Sequence, residues 1–125
     1  MNRLWQSERH LVHGYLYVTG SDEHKVAAWT RGITDFALRS GYQPGSIFID
    51  RHESTDGFAR GGFIALLSAL RLPGVYGVVV PSVAHLSSDS FTQQVLTHMV
   101  QLTDSQLLVN ANSTTGLSAE ASSGS

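Results

Sequence analysis

Cysteine is absent from the 125-residue sequence, and basic residues are few, with eight Lys and Arg against ten Asp and Glu. The lack of cysteine excludes disulfides, thiolate-bound zinc and a cysteine nucleophile. The basic residues are scattered between Arg3 and Arg71, so the sequence offers no basic arm or stripe to attract nucleic-acid phosphates. The net charge of −2 gives no reason to expect an anionic membrane as a partner.

Long apolar runs are also missing. No run approaches the roughly 20 apolar residues of a membrane span, and residues 1–10 hold no apolar core of the kind that a signal peptide needs. The histidines show no His-x-x-x-His or comparable spacing typical of metal ligands. We therefore expect a cytoplasmic protein that has no membrane partner, no metal and no cofactor.

Strand-like and helix-like segments alternate along the chain. Strands are predicted where β-branched and aromatic residues cluster before turn residues, at 11–18, 46–50, 75–80 and 106–109. Helices are predicted where apolar residues recur every three or four positions, at about 22–41, 63–70 and 88–102. This order predicts an α/β fold of three layers, in which a mostly parallel sheet of about four to five strands is flanked by helices.

The chain divides into an N-terminal extension (1–10), an α/β domain (11–109) and a Ser/Thr-rich tail (110–125). The tail holds one charged residue, Glu120, and one large apolar residue, Leu117. It cannot bury enough surface to offset the entropy of ordering, so we expect it to be disordered. In a parallel α/β fold the working loops lie beyond the carboxyl ends of the strands. Those loops begin near Thr19, Arg51, Pro81 and Asn110.

Four segments of the domain resemble a known family, in the same order and at the same spacing. They are Gly-Tyr-Leu-Tyr-Val-Thr at 14–19, Ile-Phe-Ile-Asp at 47–50, Arg-Gly-Gly-Phe-Ile-Ala-Leu-Leu at 60–67, and Val-Val-Val-Pro-Ser-Val-Ala-His-Leu-Ser-Ser at 78–88. Together they resemble the catalytic domain of the serine recombinases (the resolvase/invertase family) over about residues 12–109. The resemblance implies a resolvase-like fold. For an active member it implies phosphoryl transfer, in which a serine attacks a DNA phosphodiester and becomes linked to the 5′ end.

The polar residues that this chemistry requires are replaced. The resemblance puts Tyr17 where the family has an arginine, Thr19 at its nucleophilic serine and Ala84 at its aspartate. His85 and Ser88 stand at the two flanking arginines. The methyl group of a threonine crowds the approach of its hydroxyl, and a neutral histidine supplies little of the positive charge that phosphoryl transfer needs. We therefore expect a domain that is not an enzyme and has no catalytic residues.

Arg51, Arg60 and His85 remain as candidates for binding an anion, and three functional interpretations stay open. The first is an inactive serine-recombinase-like domain that acts as a protein-interaction or regulatory module. The second is an accessory DNA-binding protein in site-specific recombination, which retains weak phosphate contacts. The third is a domain that binds a small ligand or phosphate with the loops at the strand ends.

The resemblance also implies a long dimer-forming helix after the fourth strand and a separate helix-turn-helix domain. Residues 110–125 resemble neither, so we expect both to be lacking. The apolar surface left without that helix is then expected to be buried by a protein partner or by self-association, with DNA as a weak alternative. The candidates are Trp5 and the third predicted helix. The apolar residues Phe91, Val95, Met99 and Leu102 of this helix fall on one side of it.

Overall fold

The computed structural model describes residues 10–19, 22–52 and 60–110. The chain runs through β1 (Leu11–Thr19), α1 (Glu23–Arg39), β2 (Gln43–His52), α2 (Gly61–Leu70), β3 (Val75–Val80), a 3₁₀ turn (Val83–His85), α3 (Ser90–Gln101) and β4 (Gln106–Val109). Most of the predicted extension and tail, including Trp5, lies outside the described residues. Within them, no helix is both long and apolar enough to cross a membrane.

The four strands form one parallel sheet in the order β2-β1-β3-β4. Helix α1 packs on one face of the sheet, and helices α2 and α3 pack on the other. This arrangement follows from right-handed crossovers on both sides of the first strand. The predicted three-layer α/β fold with a parallel sheet is confirmed.

The two central strands supply both hydrophobic cores, because successive side chains of a strand point to opposite faces. Tyr15, Val78 and Val80 pack with α2 and α3 on one face. Leu16 and Val79 pack with α1 on the other face. The nearly continuous apolar run of β3 is therefore explained by burial on both sides.

Helix α1 has a capping residue at its start and a glycine just after its end. The carboxylate of Asp22 accepts hydrogen bonds from the backbone N–H groups of His24 and Lys25, at 3.1 and 3.2 Å. It thus caps two of the N–H groups that the first helical turn leaves unpaired. Gly41, just beyond the last turn, has a φ of 85°, a left-handed conformation that favours glycine and stops the helix.

Strand β2 is longer than predicted, because it extends from Gln43 to His52 and includes Pro44. A proline disrupts a central strand but is tolerated on an edge strand. β2 is such an edge strand, and Pro44 lies beside an irregularity in its pairing with β1. A loop is predicted at 51–59, but Arg51 and His52 belong to the strand. The remaining positions, 53–59, lie outside the described residues.

Asn110, the first residue assigned to the tail, is buried against the domain. Its backbone N–H donates to the carbonyl of Val80 at 2.8 Å, and its side-chain Nδ2 donates to the carbonyl of Gly32 at 3.2 Å. These two bonds attach Asn110 to β3 and to α1.

Helix α3 turns an unexpected face to the sheet. Its buried residues are Leu96 and Val100. The four apolar residues on the other side are exposed, by 71% for Phe91, 40% for Val95, 37% for Met99 and 69% for Leu102. We call these four residues the α3 stripe. Helix α3 therefore has two apolar sides, of which one packs in the core and one faces solvent.

Candidate functional site

The carboxyl ends of β1, β2 and β3 lie at one edge of the sheet, because the three strands are parallel and adjacent. From this edge the chain leaves β1 toward one face and leaves β3 toward the other face. Such a divergence between neighbouring strands opens the crevice in which parallel α/β folds bind their ligands. The residues at this edge are therefore the candidate site.

Asp50 lies at this edge and is buried. Its carboxylate accepts hydrogen bonds from the hydroxyl of Tyr15 at 2.7 Å, the backbone N–H of Gly62 at 2.6 Å and the backbone N–H of Phe63 at 2.8 Å. The last two donors belong to the first turn of α2, where an anion is favoured by unpaired N–H groups and the helix dipole. Asp50 thus ties β1, β2 and the start of α2 together.

Glycine at position 62 makes this approach feasible. A Cβ atom there would lie 2.9 Å from Oδ1 of Asp50 and 3.0 Å from its Cγ, which is closer than van der Waals contact allows.

The hydroxyl of Tyr15 is held in its protonated form. Its pKa is raised, first by burial and then by the hydrogen bond to Asp50 and the charge of that carboxylate, while Arg60 acts in the opposite direction.

Arg60 directly precedes α2, and its guanidinium contacts neighbouring segments of the site. Its guanidinium carbon lies 3.7 Å from the ring centroid of Tyr17, well inside the range of a cation–π interaction. Its Nη1 donates to the carbonyl of Leu86 at 2.6 Å. The side chain therefore connects the start of α2 to β1 and to the segment after the 3₁₀ turn.

His85 ends the 3₁₀ turn and is 6% exposed. Its Nδ1 accepts a hydrogen bond from the backbone N–H of Tyr17 at 3.2 Å, and its ring meets that of Trp29 edge to face at 4.5 Å. Burial lowers the pKa of the imidazole. A neutral ring with Nδ1 as acceptor follows from these contacts, so the proton is on Nε2.

Arg51 lies apart from this cluster. Its guanidinium forms a salt bridge with the carboxylate of Glu23 in α1, at 3.0 Å, and the two side chains are 37% and 65% exposed. Each of the three candidates for anion binding therefore has partners within the domain: Arg51 has Glu23, Arg60 has Tyr17 and Leu86, and His85 has Tyr17 and Trp29, so that Arg60 and His85 share Tyr17.

The other three residues singled out from the sequence are exposed. Thr19 is the last residue of β1, Ala84 is the middle residue of the 3₁₀ turn and Ser88 follows that turn. They lie on the segments that form the candidate edge, as the strand order predicts. Among the described residues, no group of three or more His, Asp or Glu side chains is placed to hold a metal ion.

Asp50 and Tyr15 belong to the site but were not predicted from the sequence. Asp50 ends a short apolar segment and is followed by the paired glycines at 61–62. An acidic residue at the end of a buried strand, with glycines at a later helix start, is a signal for a carboxylate docked on that helix. The partner on β1 carries no such signal, because a tyrosine in a strand is most often simply packed.

Comparison with solved structures finds serine recombinase catalytic domains. The C-terminal catalytic domain of ISC1926 TnpA, an IS607-like serine recombinase, matches with a TM-score of 0.68 at 16% identity, over 79% of this chain and 68% of that chain. The N-terminal catalytic domain of TP901-1 integrase matches with a TM-score of 0.64 at 17% identity, over 81% of this chain and 78% of that chain. No protein-family model and no curated protein matches the sequence. The chain therefore has the fold of a serine recombinase catalytic domain, as its sequence resemblance predicts.

Proposed function

We propose that this chain is a serine-recombinase-like domain that does not cleave DNA and acts as a protein-interaction or regulatory module. The fold provides the frame of the catalytic domain. The positions that the resemblance assigns to its chemistry hold Tyr17, Thr19, Ala84, His85 and Ser88.

Strand cleavage by such a fold requires a hydroxyl nucleophile and several fixed cations, because negative charge develops on the non-bridging phosphate oxygens. Removing one donor of this kind from a preorganised site costs about 2.7–4 kcal/mol of transition-state stabilisation. Here three arginine positions are occupied by Tyr17, His85 and Ser88. Even with strong non-additivity, a loss of that size supports the absence of cleavage.

The observation that carries the proposal is the placement of Arg60. This arginine lies beside the site, yet its guanidinium covers the ring of Tyr17 and donates to the carbonyl of Leu86. Both contacts hold the domain together, and they use one face of the guanidinium and its Nη1 donor, which an arginine could otherwise offer to a phosphate. The buried, neutral ring of His85 supports the same conclusion, because it adds no positive charge.

The direct test is a covalent-adduct assay. The full chain is incubated with supercoiled plasmid and separated on a denaturing gel, beside a Thr19→Ala variant. We expect no protein–DNA adduct from either. An adduct that forms with the natural chain and disappears in Thr19→Ala would overturn the proposal, because it would identify Thr19 as a nucleophile.

A second assay addresses the two alternatives, accessory DNA binding and phosphate binding. Arg51, Arg60 and His85 would have to give up their partners in the domain to bind an anion, so we expect no DNA affinity at about 50 mM salt, where phosphate contacts are strong. Fluorescence anisotropy with labelled duplex DNA measures it. Binding that weakens steeply with salt and is lost in Arg60→Gln would favour the accessory role instead.

A further inference from the structure

Helix α3 carries an apolar surface that the fold does not use. The residues of the α3 stripe are separated by four, four and three positions, so they lie along one side of the helix. The stripe is about 17 Å long at the 1.5 Å rise of an α-helix. Its two ends, Phe91 and Leu102, are 71% and 69% exposed. Isolated apolar residues are ordinary on a protein surface, whereas these four are grouped along one side of a single helix and together form one small apolar surface.

The charge pattern of α3 narrows the choice of partner. From Ser90 to Thr103 the sequence contains no Asp, Glu, Lys or Arg, and His98 is its only titratable residue. Helix α1, by contrast, carries acidic and basic residues throughout its length. An uncharged face has no means of selecting a charged partner, whereas it meets its own copy without any like-charge repulsion.

We infer that the α3 stripe is the contact between two copies of this chain, related by a two-fold axis that crosses the helices and makes them antiparallel. In this arrangement Phe91 of one copy contacts Leu102 of the other, and Val95 contacts Met99. The whole α3 stripe of one copy therefore lies against the whole stripe of the other, in the opposite direction. A two-fold interface requires such self-complementarity. Antiparallel helices also place their dipoles in the favourable orientation.

The size of the stripe sets the strength of the dimer. A helix face about 17 Å long and about 10 Å wide is far smaller than the roughly 800 Å² per partner of a standard stable interface. We therefore expect a reversible dimer with a dissociation constant on the order of 10–100 micromolar. The Ser/Thr-rich tail is an unsuitable occupant, because Leu117 is its only large apolar residue.

This inference deepens the proposed interaction module by naming its partner, and it rests on that role. Sedimentation velocity of the full chain from about 5 to 500 micromolar tests it. We expect the natural chain to shift from monomer to dimer over this range. Val95→Glu places two carboxylates at the centre of the contact, so it should remain monomeric at every concentration with an unchanged circular dichroism spectrum. The matched control is Ile64→Glu, a change at a 64% exposed residue of α2, which should dimerise like the natural chain.

A cysteine cross-link tests the geometry, and the absence of native cysteine makes it specific. In the antiparallel register the two copies of His98 lie near the axis, so His98→Cys should form a disulfide-linked dimer on mild oxidation. Ile64→Cys should not. The inference is overturned if the natural chain stays monomeric to 500 micromolar, if Val95→Glu still dimerises, or if the two cysteine variants cross-link equally. It is also overturned if deletion of residues 1–9 is needed to expose a dimer, since the chain itself would then cover α3.

The plasmid-adduct assay, run on the natural chain and on Val95→Glu, separates the two proposals. An adduct would refute the non-catalytic role and leave the dimer measurement standing. A monomer without an adduct would refute only the self-association.

Discussion

The hydroxyl of Tyr15 donates a 2.7 Å hydrogen bond to the carboxylate of Asp50, and both residues are buried. The two belong to neighbouring strands and are 35 residues apart in the chain. Their bond is completed by the first N–H groups of α2. The candidate edge of the sheet is thus held together by a buried polar network that joins β1, β2 and α2.

Loss of either partner of this bond should destabilise the domain. Tyr15→Phe removes one donor from a buried carboxylate, and we expect the free energy of unfolding to fall by about 1–2 kcal/mol. In Asp50→Asn one carboxylate oxygen becomes an NH₂ group, which faces donors of Tyr15 or α2 and cannot accept their hydrogen bonds. We therefore expect the free energy of unfolding to fall by a larger amount, about 2–4 kcal/mol. Urea titration followed by circular dichroism measures both. Asp35→Asn, at an exposed position of α1, should stay within about 0.5 kcal/mol of the natural chain. Unchanged stability of Tyr15→Phe would contradict the buried bond.

The paired glycines of α2 should respond in opposite directions to the same change. Gly62→Ala places a methyl group against the fixed carboxylate of Asp50, and we expect it to cost about 1–3 kcal/mol. Gly61→Ala meets nothing within 4 Å, so the lower backbone entropy of alanine should stabilise the helix start by about 0.5–1 kcal/mol. Thermal and urea unfolding of the two variants distinguishes them. Equal effects would show that the carboxylate moves aside.

The contact between Arg60 and Tyr17 should appear as an energetic coupling. In a double-mutant cycle of Arg60→Met and Tyr17→Leu, we expect a coupling energy of about 0.5–2 kcal/mol, since the guanidinium lies against the ring face in a half-buried setting. The cycle of Arg51→Met and Glu23→Gln is the control, because that ion pair is exposed and should couple by less than about 1 kcal/mol. No coupling between Arg60 and Tyr17 would contradict the role given to Arg60.

Stability should decrease as the pH falls below 6.5. Burial lowers the pKa of His13 and His85 from the ordinary value of 6.5, so each binds a proton more readily in the unfolded chain. Stability rises with pH wherever the unfolded state holds more protons. The contribution of these two neutral histidines to the free energy of unfolding is therefore fully present above pH 6.5, and it is lost progressively as the pH falls below that value. Both rings also accept a backbone N–H at Nδ1, a bond that protonation would break.

Urea titrations at pH 7.5, 6 and 5 measure this dependence. His85→Gln should reduce the slope between pH 6.5 and 5, because it removes one of the two buried imidazoles. Nitrogen-15 NMR at pH 7.5 should find His13 and His85 as the Nε2–H tautomer. A slope that does not change in His85→Gln would show that this ring is not responsible.

The element order could be predicted from the sequence because the apolar periods are strong. β3 is a nearly unbroken apolar run, and α1 has a capping aspartate at one end and Gly41 at the other. The full length of β2 could not be predicted, because Pro44 is compatible with a strand only at a sheet edge. Whether β2 lies at an edge depends on the strand order, which local sequence does not contain.

The direction of α3 and the site network escaped prediction for a related reason. Helix α3 has apolar residues on two sides, and only the packed domain decides that Leu96 and Val100 face inward. Tyr17, Thr19, Ala84, His85 and Ser88 could be assigned to candidate site positions only through a family resemblance, which carries their spacing. Asp50 accepts hydrogen bonds from α2, and the guanidinium of Arg60 lies over the ring of Tyr17. Both contacts join segments that are far apart in the chain, so they depend on the fold and not on local sequence.

The position of β1 in the middle of the sheet has a consequence for how the chain acquires its structure. β1 is synthesised first, yet one of its edges pairs with β3, from Leu11↔Val75 to Gly14↔Val79. Such pairings of large sequence separation slow the folding of a domain. Until β3 leaves the ribosome, β1 exposes an apolar strand with an unpaired edge, the element most prone to join another chain. Folding of this domain must therefore wait for its third strand, and truncation before Val75 should yield an aggregating fragment.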